Sequence, residues 1–425
     1  MRLTWFLALR QLGSPRRGRA VTMTALVAMG GIAVGVLALT VILSVMNGLE
    51  AELRRLINDG EAHVELRPPG SGAISAPARI LDALAPRAEV AAAAPFVRSE
   101  VLAVAADAAG HERMETATLT GIDPAREAAV TGVLAMSYPD FTDFAPHPGW
   151  ILPGGDGGEP GILLGEELAR NLQLGLGERL RLVVPDASTA TTSDLDSLRG
   201  REAWFRLVGF VDAGLYEFNA TRAFADIAVC ADFLQVTGAA QGIGVRCRRP
   251  ERAGAVADSL LALPALAGFR AETWQQRNQV LFDAMRREKV MMYLFLLLTV
   301  SVASLGIVSA LTLMVSAKRA ELGILRTLGM SRRGILGLVV LEGWLVGLLG
   351  VLGGLTGGWL LGALLRSHPL RIPWDLFVLE TVPVLLNPVD FLRVGSITLA
   401  VCLLATLYPG WEAARLDPIA AIRAL

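Results

Sequence analysis

A short charged segment, residues 318–333, contains the side chains of this sequence that are best placed to bind a protein partner. It reads KRAELGILRTLGMSRR and lies between two long apolar runs. On a helix, which advances about 100° per residue, several apolar side chains share one broad stripe and two arginines share another face. The stripe is formed by Leu322, Ile324, Leu325 and Leu328, and the arginines are Arg319 and Arg326.

Glu321 is the residue of this segment whose position is most informative. It projects from within the apolar stripe, beside Leu325 and Leu328, and not from the face of the arginines. A helix on a membrane surface keeps its acids on the wet face, so a carboxylate among leucines favours a groove on a partner protein that supplies a basic group. A connecting loop with ordinary flanking charges is the alternative that the spacing leaves open.

The composition favours a membrane protein. Of the 425 residues, 53% are hydrophobic and the mean hydropathy is +0.49, which argues against a purely soluble chain. The net charge is -1, so the charge gives no sign of polyanion binding, and no nucleic-acid recognition motif is present. The expected partners are therefore proteins and a membrane.

Four apolar runs are candidates for membrane-spanning helices. They cover residues 20–49, 290–317, 334–365 and 394–411. At a rise of about 1.5 Å per residue the first run exceeds the ~30 Å hydrocarbon core, and it is too long for the apolar part of a signal peptide. We therefore predict an uncleaved anchor there. Glu342, the charge within the third run, is expected at the membrane interface, where it would cap a helix or snorkel.

Glycines recur in two of these runs at spacings that suit close helix packing. In the first run, Gly31 and Gly35 are four residues apart. The third run carries a ladder formed by Gly343, Gly347, Gly350, Gly354, Gly358 and Gly362. Small residues at such steps let two helix backbones approach closely.

Residues 58–288 have a mixed composition and no run long enough to cross a bilayer. Strand-like patterns occur at 63–67, 97–104, 116–121, 179–184, 205–211 and 242–247. Helix-like patterns occur at 77–84, 165–172, 231–237 and 250–263. This mixture predicts an α+β domain of about 230 residues, which is large enough for its own core.

The Lys and Arg residues in short flanks predict the orientation of the chain in the membrane. The N-terminal segment, residues 318–333, and the segment after the fourth run with Arg415 and Arg423 are all basic. Four spans allow these three regions to lie on one side. We therefore expect them in the cytoplasm and residues 58–288 outside it.

No motif of the sequence indicates catalysis or a metal site. It has no G-x-x-x-x-G-K-[ST] phosphate loop, so the chain is not expected to bind ATP itself. The histidines are scattered, the cysteines lack metal-ligand spacing, and no catalytic set is apparent. Cys230 and Cys247 could form a disulfide outside the cytoplasm, but two unpaired thiols are the favoured interpretation.

Two motifs resemble one family of membrane proteins. The run KRAELGILRTLGMS resembles the coupling helix of the permeases that include MacB, FtsX and the lipoprotein-releasing LolC/LolE pair, and YPGWEAARLDPIAAIR at 408–423 resembles their closing motif. Segments similar to LolC and LolE occur at 44–54, 119–124, 161–169 and 209–218. The likeness covers nearly the whole chain in one register.

This resemblance implies a non-catalytic permease of an ABC transporter in the bacterial inner membrane. Four transmembrane helices would be arranged 1+3, with a large α+β extracytoplasmic domain between the first and the second. The divisions would be 1–19, a cytoplasmic segment; 20–57, the first transmembrane helix and its extension; 58–288, a MacB-like periplasmic core domain; and 289–425, the permease domain. The implied function is to extract lipoproteins from the membrane, and the alternatives are FtsX-like signalling and MacB-like efflux.

The resemblance also implies partners and the residues that meet them. The partners would be a LolD-like ATPase that holds ATP and Mg, a second permease subunit, the lipoprotein and a LolA-like periplasmic carrier; no cofactor is expected on this chain. The ATPase would contact Arg319, Glu321, Leu322, Leu325, Arg326, Leu328 and Gly329 within the coupling helix at 318–333. Acyl chains of the cargo would lie near Val41, Leu43, Met46, Leu294 and Leu297.

Residues 185–203 occupy the position of the loop with which LolC recruits the carrier. Asp194, Arg199 and Arg201 are the candidate contacts. The segment lacks the paired prolines of that loop, so a LolC role and a LolE role both stay open. A plain surface loop is the third interpretation.

Overall fold

The computed structural model describes residues 19–70, 72–106, 111–138, 159–185, 200–368 and 382–416. The chain divides into two compact units, and the divisions fall between residues 52 and 53 and between residues 282 and 283. We call the described part of Leu53–Phe282 the mixed unit and the remaining described residues the helical unit.

The elements are as follows in chain order. They are α1 (Arg19–Gly60), β1 (Val64–Arg67), α2 (Pro77–Leu84), β2 (Val90–Ala106), β3 (Glu112–Ile122), α3 (Pro124–Val130), β4 (Ser137–Tyr138), β5 (Gly161–Gly165), α4 (Glu166–Leu172), β6 (Arg179–Pro185), β7 (Gly200–Val211), α5 (Tyr216–Thr221), β8 (Arg222–Asp226), α6 (Ile227–Phe233), β9 (Gly242–Cys247), α7 (Ala253–Leu261), β10 (Arg270–Thr273), α8 (Trp274–Arg277), α9 (Gln279–Ala317), α10 (Arg319–Thr327), α11 (Arg332–Ser367) and α12 (Pro388–Ala414). Short 3₁₀ turns at Pro250–Arg252 and Pro264–Leu266 flank α7.

Four helices, α1, α9, α11 and α12, are long and apolar enough to cross a membrane, in agreement with the four apolar runs of the sequence. Their buried side chains form one continuous apolar core. Helix α1 contributes Ile32, α9 contributes Val300, α11 contributes Val339 and α12 contributes Val394, each of them 1% exposed or less. Burial of such side chains is what holds these helices to one another.

Glycines let α11 approach two helices closely, and its neighbour changes along its length. A Cβ atom built on Gly354 would lie 2.6 Å from the Cβ of Val36 and 2.7 Å from the carbonyl oxygen of Ala33, both on α1. One built on Gly347 would lie 2.8 Å from the Cβ of Cys402, on α12. Larger residues do not fit at such distances, so the close packing predicted for the glycine ladder is confirmed.

Glu342 of α11 differs from the expectation. The residue is 1% exposed, and it lines a small cavity together with Ala25 of α1 and Ile307 of α9. The N-cap of α11 is Ser331, whose hydroxyl accepts a hydrogen bond from the N–H of Gly334 at 3.2 Å. The expectation of a capping or snorkelling carboxylate is therefore wrong, because the side chain of Glu342 points towards the neighbouring helices and not away from them.

The ten described strands of the mixed unit pair into one sheet, in the order β10-β1-β9-β2-β3-β8-β5-β7-β4. Strand β6 pairs with both β2 and β7, so β2, β3, β8, β5, β7 and β6 close into a ring. The pairs β3–β8 and β5–β7 are parallel, and the other pairs are antiparallel. An apolar core joins the ring strands, with Val101, Leu119, Leu164, Leu182 and Phe205 each coming from a different strand.

Five of the six predicted strands lie within observed strands and the sixth, 63–67, begins one residue before β1, whereas β4, β5, β8 and β10 have no counterpart in the prediction. The predicted helix at 231–237 is displaced, since α6 covers Ile227–Phe233. The reason is a cap: Oδ1 of Asp226 accepts a hydrogen bond from the N–H of Ala228 at 2.8 Å and starts the helix earlier.

A buried ionic cluster ties β1 to β2 within the mixed unit. Glu65 of β1 is 2% exposed, and its carboxylate lies 2.8 Å from Arg98, 3.0 Å from Arg67 and 3.1 Å from Arg277. Burial raises the pKa of Glu65, but the guanidinium groups of Arg98 and Arg277 outweigh it and lower the pKa to about 2. The ionised carboxylate therefore stabilises the fold above its ordinary pKa, and this contribution is lost as the pH falls towards 2.

Glu127 of α3 lines the same small cavity as Glu65, and the residue is 8% exposed. The hydroxyl of Thr131 donates a hydrogen bond to its Oε1 at 2.8 Å. Burial raises the pKa of Glu127 to about 7, although the Thr131 hydroxyl favours the charged form. One cavity thus contains two carboxyl groups whose pKa values are shifted in opposite directions, because only one of them is surrounded by arginines.

Cys230 and Cys247 are both free and buried, in agreement with the favoured interpretation of unpaired thiols. Burial raises the pKa of Cys230 to about 12 and that of Cys247 to about 11. Both are therefore protonated at neutral pH and are poor nucleophiles.

We expect Gly354→Ala to destabilise the helical unit and Gly337→Ala to leave it unchanged or slightly more stable. The methyl group at 354 would collide with Val36 and with the Ala33 carbonyl, and overpacking of this kind costs roughly 1–3 kcal/mol. A Cβ on Gly337 meets nothing within 4 Å, and alanine is better than glycine in a helix by about 1 kcal/mol. Thermal unfolding in detergent would compare the variants, and equal midpoints would contradict the close packing at Gly354.

We expect the stability of the mixed unit to fall as the pH rises from about 4.5 to about 7, and Glu127→Gln to abolish this fall. In that range the carboxyl group of the unfolded chain loses its proton while the buried one keeps it, so bound protons stabilise the folded state. The shift corresponds to roughly 3 kcal/mol. Thermal unfolding of the full chain followed by Trp fluorescence at several pH values would test this, with the exposed Glu251→Gln as control. Parallel pH profiles for wild type and Glu127→Gln would argue against it.

Candidate functional site

Helix α10 is the short helix of the charged segment, and it is shorter than predicted. It ends at Thr327, whereas the prediction extended the helix to residue 333. Gly329 has φ +97, and the N–H groups of Gly329 and Met330 bond to the carbonyl oxygens of Arg326 at 3.1 Å and Leu325 at 3.0 Å. This is the pattern that closes a helix at a left-handed glycine, so Gly329 acts here as a helix stop.

The apolar stripe predicted for α10 is divided between an inner and an outer side. Leu322 is 5% exposed and Leu325 packs against the core of the helical unit. In contrast, Ile324 is 47% exposed and Leu328 is 79% exposed. The side chain of Glu321 is 67% exposed, with the Nζ atom of Lys318 at 4.0 Å. We call Glu321, Ile324 and Leu328, spaced three and four residues apart, the coupling face.

The two arginines of α10 are seven residues apart and so lie on one face as predicted, but their environments differ. Arg319 is exposed, but Arg326 is half-buried, and its Nη1 donates a hydrogen bond to the carbonyl oxygen of Leu416. Leu416 follows the end of α12, where carbonyl groups lack helical partners and attract a cation. Arg326 therefore joins α10 to the end of α12.

The five residues expected near the acyl chains are placed differently from one another. Leu294 is 54% exposed and Leu297 is 44% exposed on α9. Val41 and Met46 of α1 are half-buried, and Leu43 is 1% exposed within the core. Four of the five thus lie at least partly on the surface of α1 or α9, while Leu43 packs in the core of the helical unit.

Sequence reasoning missed Asp390, which lies in the first turn of α12 and is 4% exposed. Its Oδ2 accepts a hydrogen bond from Nδ2 of Asn47 at 2.8 Å, and its Oδ1 accepts one from the hydroxyl of Tyr293 at 3.0 Å. Nη1 of Arg393 lies 3.4 Å from the same Oδ1. Asn47, a polar residue at the end of an apolar run, was the available signal, but the sequence does not indicate its partner.

The segment before α12 is fixed to α1 near this carboxylate. The N–H of Leu385 donates to the carbonyl oxygen of Ser44 at 2.9 Å. A Cβ on Gly48 would lie 2.2 Å from the carbonyl oxygen of Pro383, so glycine is required at that contact. The side chain of Asn387 caps α12 by accepting a hydrogen bond from the N–H of Val389 at 3.1 Å.

An open groove lies in the described part of the mixed unit. It has a volume of about 480 Å³ and is lined by Leu174, Arg179, Trp204 and Arg206, among others. The guanidinium group of Arg179 lies 5.0 Å from the centre of the Trp204 ring, which is a cation–π contact. The cavity beside Glu65 measures only about 30 Å³, which is room for one or two water molecules and not for a lipid.

The predicted carrier-binding residues are only partly described. Arg201 lies on β7 and is exposed. Asp194 and Arg199 lie outside the described residues. Strands β6 and β7, which flank residues 186–199, pair antiparallel from Arg179 and Arg206 to Pro185 and Gly200.

Comparison with known proteins identifies two family models along the chain. Residues 25–263 match the MacB-like periplasmic core domain, and residues 293–418 match the FtsX-like permease C-terminal domain. The first match covers more than half of the chain.

Several curated proteins are similar over nearly the full length. The lipoprotein-releasing system transmembrane protein LolC of Xylella fastidiosa (strain Temecula1) is 27% identical and covers 98% of each chain. LolC of Neisseria meningitidis serogroup B is 28% identical, and LolE of Haemophilus influenzae is 25% identical, again over 98% of each chain. The chain therefore belongs to the permeases that combine a MacB-like periplasmic core domain with an FtsX-like C-terminal domain, and along its whole length it resembles LolC and LolE.

Proposed function

We propose that this chain is the permease subunit of an ABC transporter that extracts lipoproteins from the bacterial inner membrane and passes them to a periplasmic carrier. The observation that carries the proposal is the full-length similarity to LolC and LolE, which are named as transmembrane proteins of a lipoprotein-releasing system. Signalling and efflux, the two alternatives, are not favoured by these relatives. The chain works with a second permease subunit, which is either a copy of it or a relative.

The proposed topology has one span before the mixed unit and three after it. Helices α1, α9, α11 and α12 have the length and composition of membrane spans. The basic residues of 318–333 favour the cytoplasm for α10 and therefore the periplasm for the mixed unit, whose family model is a periplasmic domain. In this arrangement the α1–α9 surface at Met46 and Leu294 lies towards the periplasmic leaflet.

The coupling face is the proposed contact with the ATPase. It presents two exposed apolar side chains, Ile324 and Leu328, next to the largely exposed carboxylate of Glu321. Apolar residues framing one acid suit a groove with an apolar floor and a basic rim. ATP and Mg are held by the ATPase, and this chain supplies the surface on which the ATPase acts.

We expect Glu321→Lys and Leu328→Asp to reduce co-purification of the ATPase at least tenfold. Each variant places a wrong charge in the contact, and a mismatched charge at a protein interface costs about 2 kcal/mol or more. Asp232→Lys, the same reversal of an acidic charge at an exposed residue of α6, is the matched control for Glu321→Lys. ATPase yield and stimulation at the control level in both coupling-face variants would rule out this docking surface.

The orientation of the chain in the membrane is tested by labelling single introduced cysteines. A cysteine at Thr327 should react with an impermeant maleimide only in inverted vesicles, and one at the exposed Gly254 only in spheroplasts. The reverse pattern would overturn the orientation and, with it, the coupling role.

The surface proposed for the lipid anchor runs along α1 and α9 at Val41, Met46, Leu294 and Leu297. An acyl chain is held in a bilayer by about 0.8 kcal/mol per CH₂ group, so an extraction site must offer comparable apolar contact. The half-buried side chains on α1 and the exposed leucines on α9 provide such a surface. Leu43 contributes by packing behind α1.

We expect a photo-crosslinker at Met46 or Leu294 to trap a lipoprotein, and addition of ATP with a carrier to reduce the adduct. Crosslinkers at Val27 and Leu305, which are 74% and 63% exposed on the same helices, are the controls. Val27 is roughly 28 Å along α1 from Met46, so a true site discriminates between them. If crosslinkers at Met46 and Leu294 trap bulk phospholipid and no lipoprotein, the extraction mechanism is contradicted.

The groove at Trp204 and the neighbouring Arg201 form the proposed carrier contact. Arg179 and Arg206 pair with Glu159 of this chain, and the exposed Arg201 adds a further positive charge, so the surface suits a carrier with acidic and apolar groups. In the crosslinking experiment, Arg201→Glu should leave the lipoprotein adduct intact and slow its loss after the carrier is added. An unchanged rate of loss would place the carrier elsewhere.

A further inference from the structure

We propose that Asp390, Asn47 and Tyr293 form a latch that closes α9 against α1 and α12 beside the lipid-anchor surface, and that this latch opens when α9 moves. The inference rests on the proposed function and adds three positioning residues to it. It starts from one carboxylate that receives hydrogen bonds from two different helices, at 2.8 Å from Asn47 and at 3.0 Å from Tyr293.

The latch residues and the lipid-anchor residues are neighbours along both helices. Asn47 follows Met46 on α1, and Tyr293 precedes Leu294 on α9. Consecutive helical residues point about 100° apart, so one of each pair can face inward while the next faces the surface. Accordingly, Asn47 is 6% exposed and Leu294 is 54% exposed. Any movement of Tyr293 away from Asp390 therefore moves the anchor surface as well.

The three helices are not held equally firmly at this level. The segment that leads into α12 is fixed to α1 through main-chain atoms, by the bond from Leu385 N–H to the Ser44 carbonyl. Helix α9 is held by side chains, through Tyr293 to α12 and through Lys289, whose Nζ lies 3.0 Å from Glu50 on α1. The side chains of Lys289 and Glu50 are 28% and 26% exposed, so water can reach this pair when α9 moves. Side-chain contacts can be exchanged without breaking main-chain hydrogen bonds, and α9 is therefore the part of the latch that can separate.

The charge on Asp390 explains why the latch has two states. A carboxylate in the first turn of a helix is favoured by the helix dipole, but a buried one still requires hydrogen-bond partners. Arg393, whose side chain is 62% exposed, already donates a long hydrogen bond of 3.4 Å to the Oδ1 atom that Tyr293 uses, and this bond can shorten when Tyr293 moves away. When Tyr293 leaves, Arg393 can take its place. The exchange of Tyr293 for Arg393 at Oδ1 is the proposed opening step.

This exchange predicts opposite effects for two conservative variants. Tyr293→Phe removes the closing partner and should raise the open fraction about fivefold, the effect of one hydrogen bond. Arg393→Gln weakens the opening partner and should lower the open fraction by a similar factor. Asp390→Asn removes the charge that attracts Arg393 and should also favour the closed state. A merely structural role would loosen the helices in every variant.

The experiment uses the chain assembled with its ATPase and second permease subunit in nanodiscs. Spin labels at Ile42 on α1 and Leu298 on α9, which are 47% and 63% exposed, report the distance between the helices. The three native cysteines are buried and need not be replaced. Distances are measured without nucleotide and after vanadate trapping, and the rate of lipoprotein release to a carrier is measured in parallel. Ser44→Ala is the control, since its hydroxyl bonds only within α1, to the carbonyl oxygen of Thr40 at 2.6 Å.

We expect a larger long-distance population in Tyr293→Phe and a smaller one in Arg393→Gln and Asp390→Asn, with slower release in the last two. Shifts in the same direction in all three variants, or distances unchanged from the Ser44→Ala control, would overturn the latch. If the wild-type complex releases no lipoprotein, the proposed function fails, while the opposite distance shifts still decide on the latch.

Discussion

The helical unit depends on the close backbone approach that the glycines of α11 allow. The backbone of α11 meets α1 near Gly354 and α12 near Gly347, at distances where any side chain would collide. One helix thereby fixes α1 and α12 relative to each other, although these two are distant in the sequence. Because α11 holds α1 and α12 in place, Asn47 and Asp390 can form a 2.8 Å hydrogen bond although they are 343 positions apart in the chain.

Helix α9 packs on α1 through small residues with a range of contact distances. A Cβ on Gly31 of α1 would lie 3.7 Å from the Cβ of Ala303, which is ordinary contact, and one on Gly306 of α9 would lie 3.2 Å from the Cβ of Ala28, which is a tight one. Much of α9 is exposed apolar surface, including Phe295, Leu298 and Val302. One side of α9 is thus packed into the core while the other presents apolar side chains outward, which suits a helix that must contact a lipid chain.

Local patterns in the sequence predict a large part of this structure. Apolar runs reveal the four long helices, glycine spacing reveals close packing, and alternation reveals six of the ten strands. Contacts between distant residues are not encoded in such patterns. The period of α10 puts Leu322 and Ile324 on one stripe, but it does not tell which neighbour covers them, and they are 5% and 47% exposed. The contacts of Arg326 and Asp390 were missed for the same reason, since their partners are distant in the sequence.

The contacts of α10 indicate which helices would move if the ATPase displaced α10. Leu322 and Leu325 are packed into the core, and Arg326 bonds to the carbonyl oxygen of Leu416 beyond α12. A displacement of α10 therefore acts on α12, and through the tight glycine contacts α12, α11 and α1 move together. Helix α9 ends at Ala317, and one residue separates it from α10, so the same displacement also reaches α9 directly and can move it relative to the other three. Under the proposed function, the hydrogen bond between Tyr293 and Asp390 opposes the motion of α9 while it is formed and must break for α9 to move.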